Sequence, residues 1–144
     1  MSYDVKNLYP SIPIKQSLDL VEQLLERKED LQQVTDWSVT SIMELLRWMF
    51  SLTYCEYNGK HYILDTGPIG LGVTGEVAII YMEDFQIRAR DDRFPSLENW
   101  WWYVDDSLLK CPINQAQQIL EHINSIEPGV IEFTMEEAEN DNCL

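Results

Sequence analysis

Trp100-Trp101-Trp102-Tyr103-Val104-Asp105-Asp106-Ser107-Leu108-Leu109-Lys110 sets two adjacent carboxylates between an aromatic run and a short apolar run. Aromatic and β-branched residues favour strands, so the stretch predicts a strand, a tight acidic turn and a returning strand. Asp suits such a turn because its short side chain bonds nearby backbone and tolerates unusual dihedrals. The hairpin tip then presents two carboxylates on arms held by a core. Hard divalent cations take oxygen ligands, and Mg2+ is held by one or two carboxylates together with substrate phosphates. A third carboxylate would complete a two-metal phosphoryl-transfer site. Asp4, in Tyr3-Asp4-Val5, is the one offered near the start.

Composition bounds the rest. The 144 residues suffice for one domain with a real core, and 45% hydrophobic content argues against disorder. Asp and Glu number 25 against 10 Lys and Arg, a formal net charge of -15. That balance opposes autonomous nucleic-acid binding, which needs a basic footprint. Cys55, Cys111 and Cys143 are far apart and in no CxxC spacing, which fits a reducing, intracellular setting better than a disulfide frame or a zinc site. Nucleus and cytoplasm are not distinguished. The start carries no signal peptide, and the longest apolar region, Trp37 to Leu52, is interrupted by Glu44 and Arg47, so no membrane span is expected.

Working outward, Ser2-Tyr3-Asp4-Val5 reads as a strand end. A turn through Leu8 to Pro13 leads into a helix, with Ser11 as the expected cap and Pro13 near the first helical position. Ile14, Leu18, Val21, Leu24 and Leu25 form its core stripe, Glu29 to Thr35 a polar connection, and Val39, Ile42, Met43, Leu46, Met49 and Phe50 a second amphipathic helix. Asn58-Gly59 between two strand-like arms predicts a type I′ hairpin. Four glycines from Gly67 to Gly75 allow close backbone approach to a ligand, a base pair or a neighbouring strand. A helix over about Thr74–Ile87 follows, then a charged loop. Its Asp91-Asp92 pair lies among Arg88, Arg90 and Arg93 and reads as screened surface ion pairing. After the central hairpin come a helix with Ile119, Leu120 and Ile123 inward and a last strand, Val130 to Met135. The expected fold is α+β, one domain over residues 1–144, with helices covering one face of an antiparallel sheet. Such a sheet can bring the Asp4 strand beside the Asp105-Asp106 turn.

Tyr3-Asp4-Val5-Lys6-Asn7-Leu8-Tyr9-Pro10-Ser11-Ile12-Pro13 resembles the first catalytic motif of reverse transcriptases, most closely that of Penelope-like and related non-retroviral retroelements. Tyr103-Val104-Asp105-Asp106 resembles the family's Tyr-x-Asp-Asp motif. Gly67-Pro68-Ile69-Gly70 through Ala78, Tyr81-Met82-Glu83 and Phe85 is similar to the motif between them, and Phe133-Thr134-Met135-Glu136 to the segment after the palm helix. The resemblance implies a polymerase palm catalysing RNA-directed DNA synthesis. Asp4, Asp105 and Asp106 would hold two Mg2+ (or Mn2+) ions, with the Val5 carbonyl a further ligand. Tyr9 would lie under the nucleotide sugar, and the loop of Gly67, Pro68 and Gly70 would approach primer-template and the incoming deoxynucleoside triphosphate. Trp100 and Trp102 would face one side of the sheet, Trp101 and Tyr103 the other.

The chain also departs from the pattern. Ile63, Leu64 and Asp65 stand where a glutamine is expected, Leu71-Gly72 and Thr74-Gly75 replace Ser-Pro steps, and no lysine follows Met135. The basic fingers would precede Asp4 and the thumb would follow Leu144, so the expectation is a palm truncated at both ends, with little or no activity alone. Two rivals stand beside it. One is a non-catalytic retroelement relic or protein-interaction module, self-associating through exposed aromatics. The other is an unrelated Mg2+ phosphohydrolase or nuclease using the same three carboxylates. Each residue has a bland reading as well: Asp4 as a turn residue, Asp105-Asp106 as an ordinary hairpin turn, Tyr9 as packing, the tryptophans as core.

Overall fold

The computed structural model describes residues 1–64, 66–103 and 106–136. In chain order these form β1 (Ser2–Val5), α1 (Leu8–Ser11), α2 (Ile14–Arg27), α3 (Leu31–Val34), α4 (Val39–Ser51), β2 (Tyr54–Tyr57), β3 (Lys60–Ile63), α5 (Gly72–Ala89), β4 (Trp100–Tyr103), β5 (Asp106–Leu109), α6 (Ala116–Ile126) and β6 (Phe133–Glu136). A four-stranded antiparallel sheet runs in the order β4-β5-β1-β6. The chain visits it as β1-α5-β4-β5-α6-β6, with β1 between β5 and β6, which is a split β-α-β arrangement. The α+β expectation holds.

Alternation along each strand decides which face is covered. Tyr3, Val5, Trp100, Leu109 and Phe133 point inward onto Tyr81 and Phe85 of α5 and onto Ile119 and Ile123 of α6. Ile119 and Ile123 are fully buried, each contributing about 1.5–3 kcal/mol of apolar burial. Packing of this stripe rather than capping therefore anchors α6, whose N-cap Gln115 makes no side-chain cap. A second core joins Leu18 and Val21 of α2, Met43 and Phe50 of α4, and Val77 of α5. Helix α5 is thus buried on two sides. Its apolar residues do not form a single stripe, which blurred its ends: it spans Gly72–Ala89 rather than the expected Thr74–Ile87.

Several local expectations need correction. Ser11 does not cap α2, because it closes the preceding turn α1, and its hydroxyl donates to the Lys6 carbonyl at 3.3 Å. The N-cap of α2 is Pro13. The polar connection after α2 contains the turn α3, which buries Leu31. Leu24 is exposed, so the stripe of α2 is narrower than its spacing implied. The last strand begins at Phe133, since the amides of Val130 and Ile131 turn back to the Glu127 carbonyl. The β2–β3 hairpin matches its reading, with Asn58 and Gly59 at φ 52° and 71°, as a type I′ turn requires. Both of its strands are exposed along their whole length.

Candidate metal centre on the open face of the sheet

The face of the sheet turned away from α5 and α6 carries the chemistry. Register places Asp4 directly opposite Asp106, with Tyr103 beyond Asp106 and Thr134 beyond Asp4. These four make one row across the sheet. A second row is Trp101, Leu108, Ser2 and Glu136. The expected division of the aromatics is observed: Trp100 is buried and Trp102 half-buried, while Trp101 is 53% and Tyr103 80% exposed.

Facing residues on adjacent strands have Cβ atoms about 4.5–5.5 Å apart, and like charges directly opposite destabilise a sheet. Asp4 and Asp106 accept that arrangement without an ion-pair partner among the described residues. The Ser2 hydroxyl donates to Asp4 Oδ1 at 3.2 Å. A groove of about 480 Å³ opens over both carboxylates, lined also by Trp101, Tyr103 and Glu136, and none of its described lining residues is basic. Two opposed hard oxygen donors with no counter-charge suit a divalent cation. Asp105, the remaining carboxylate of the expected set, lies outside the described residues, as do Asp65, Val104, Cys143 and the acidic tail from residue 137. Among the described residues no three metal-ligating side chains converge. Val5 ends β1 with its side chain in the core, which leaves only its backbone to take part.

The other expected residues gather at a second, smaller groove of about 260 Å³, where Tyr9 faces Pro68, Gly70 and the first turn of α5. Gly67 packs behind it. A Cβ there would stand 2.8 Å from the Tyr9 carbonyl oxygen and 2.7 Å from Thr74 Cγ2. Of the three approaches left open by the glycines, Gly67 therefore serves contact with a neighbouring backbone. Gly70, at φ 100° with open space around it, supplies the turn. Tyr9 and the glycine loop are brought together, and so are Asp4 and Asp106, each set lining its own groove.

Beneath the open face, residues that drew no functional reading hold the site. The buried Trp100 indole donates to Ser107 Oγ, and the buried Ser107 hydroxyl donates to the Tyr3 carbonyl of β1. Their signal was the alternation itself, which puts Ser107 in line with Leu109 on the core side, where a hydroxyl needs partners. No helix among the described residues is long and apolar enough to cross a membrane. Compared with family models, curated proteins and solved structures, the chain matches none.

Proposed function

We propose that this chain is a reverse-transcriptase-like palm, the part of an RNA-directed DNA polymerase that holds divalent cations for nucleotidyl transfer. One observation carries the reading. Asp4 and Asp106, from motif-like segments about a hundred residues apart, face each other across adjacent strands with no basic side chain among the described residues lining their groove. A sheet would otherwise avoid this pair. The palm reading accounts for it, because such a pair is stable once a cation sits between its carboxylates.

Asp4 and Asp106, with Asp105 beside them in sequence, would hold Mg2+ or Mn2+. When bound, the ions would supply Lewis-acid stabilisation of the attacking and leaving oxygens. The protein's own part is orientation. The Ser2 hydroxyl, with Asp4 Oδ1 at 3.2 Å and the Ser107 carbonyl at 3.3 Å as its two acceptors, helps to orient the Asp4 carboxylate. Trp101 and Tyr103, exposed beside the carboxylates, offer flat apolar surface to the sugar or base of a primer end. Tyr9 and the Pro68–Gly70 turn form a separate wall for the incoming nucleotide.

The test is Mn2+ titration of the full chain with and without a deoxynucleoside triphosphate, by calorimetry, for the native protein and for Asp106→Asn. Saturable binding that the substitution abolishes supports the reading. Equal behaviour of the two proteins under both conditions rules it out.

A further inference from the structure

The hairpin β4–β5 is joined to β1 by a buried chain of hydrogen bonds that sheet formation alone does not require. The Trp100 indole N–H donates to Ser107 Oγ at 2.9 Å, and the Ser107 hydroxyl donates to the Tyr3 carbonyl at 2.5 Å. Ser107 is 4% exposed, lies directly opposite Tyr3, and follows Asp106 in the chain. Tyr3 precedes Asp4. The relay thus links the two peptides that bear the facing carboxylates. A hydroxyl suits this place because it accepts from one side and donates to the other. Tyr3 is also held at its far end, where its hydroxyl donates to the Ala116 carbonyl at 3.1 Å. Burial, helped by the neighbouring Cys111, raises the pKa of that hydroxyl and keeps it a donor.

We propose that Ser107 is a positioning residue: through Trp100 and the Tyr3 carbonyl it fixes the spacing of Asp4 and Asp106 against their mutual repulsion. Its consequence for cation affinity rests on the palm reading above, whereas its control of the spacing does not. Ser107 borders the groove, but its buried hydroxyl is taken up by Trp100 and the Tyr3 carbonyl on the core side of the sheet, so it acts through those partners rather than on a ligand.

The experiment compares the full native chain with Ser107→Ala, Ser107→Thr and Trp100→Phe. Val21→Ala, in the core between α2 and α4, serves as a control for general destabilisation. Two quantities are read: NMR cross-strand Overhauser contacts between Asp4 and Asp106, and Mn2+ affinity in the presence of a deoxynucleoside triphosphate. Ser107→Ala is expected to weaken those contacts and lower affinity about tenfold to a hundredfold. Trp100→Phe should show a smaller loss, Ser107→Thr should recover most of the affinity, and Val21→Ala should leave both readouts native. Native contacts in Ser107→Ala, or an equal loss in Val21→Ala, overturn the proposal. If Ser107→Ala does not fold, unchanged contacts in Trp100→Phe overturn it instead. If the native chain binds no Mn2+, the palm reading fails and the Overhauser contacts decide the positioning role by themselves.

Discussion

Asp91, in the loop after α5, meets Arg93, whereas Asp4, in β1, meets Asp106. The Arg93 guanidinium reaches Asp91 Oδ2 at 2.6 Å and its backbone N–H reaches Oδ1 at 2.8 Å. Hydrogen bonds from that side chain, then from that backbone N–H, hold the Asp91 carboxyl down at about 2. The sequence offered arginines on both sides of this pair, and the loop uses one. The sheet pair has no such neighbour and is fixed in place by the ladder. An acid that a fold neutralises with its own groups is explained by folding. An acid pair that the ladder sets face to face, with no ion-pair partner among the described residues, is what the proposed cation site would account for. Glu127 gives an intermediate case: burial pushes its pKa up, but hydrogen bonds from Tyr81, Gln16 and Arg88 outweigh it and hold the carboxyl below its ordinary range.

The widest separation between the two pairs is expected in cation binding. Asp106→Asn should lose saturable Mn2+ binding, while Asp91→Asn and Asp92→Asn should retain it, as read by calorimetry. Equal losses at both pairs would mean that general charge, not opposed geometry, attracts the ion. Next in size is Glu127→Gln, which removes one of the two carboxylates that Arg88 pairs with and leaves it Asp84. It should lower stability by about 0.5–1.5 kcal/mol in urea melts, the usual net worth of a hydrogen bond. Because the folded Glu127 pKa is depressed, its contribution is complete above the ordinary carboxylate range and fades as pH falls through the lower folded value. The deficit of Glu127→Gln should therefore shrink in strong acid.

A smaller effect of opposite sign is expected at the bare pair. Asp4→Asn removes a like-charge contact and should raise stability by about 0.2–1 kcal/mol in metal-free buffer. Added salt should narrow that gain. A loss at Asp4 in metal-free buffer would show that the facing geometry carries no strain. The smallest change belongs to Asp91→Asn, whose salt bridge is largely solvated. A slight destabilisation near neutral pH should vanish as the native Asp91 titrates toward about pH 2, followed by thermal melts in acid.

Much of this was legible in the chain. Period-2 alternation sorted the tryptophans correctly because one face of the sheet is packed and the other open. Asn58-Gly59 specified its turn because few other residues accept positive φ at both positions. Element order allowed the Asp4–Asp106 juxtaposition, since an antiparallel sheet can set β1 beside the hairpin, and the register does so. What escaped reading depends on distant partners. Ser107 is a small polar residue in a strand until Trp100 and Tyr3 are seen around it. Leu31 looks like part of a polar linker until α3 folds it inward. Gly67 is tight because the Tyr9 carbonyl, more than fifty residues away in the chain, and the Thr74 side chain lie against it.

Helix α5 carries a consequence for how the molecule comes apart. It supplies Val77 to the core with α2 and α4, and Tyr81 and Phe85 to the core under the sheet. The two cores therefore share a wall, and melting either one strips support from the other. Although the two sheets are separate, the shared wall makes the two cores a single cooperative unit, with a peripheral attachment. That attachment is the β2–β3 hairpin, exposed on both strands and free to open first. The carboxylate pair sits on the cooperative unit, so its spacing should persist through local openings of the hairpin.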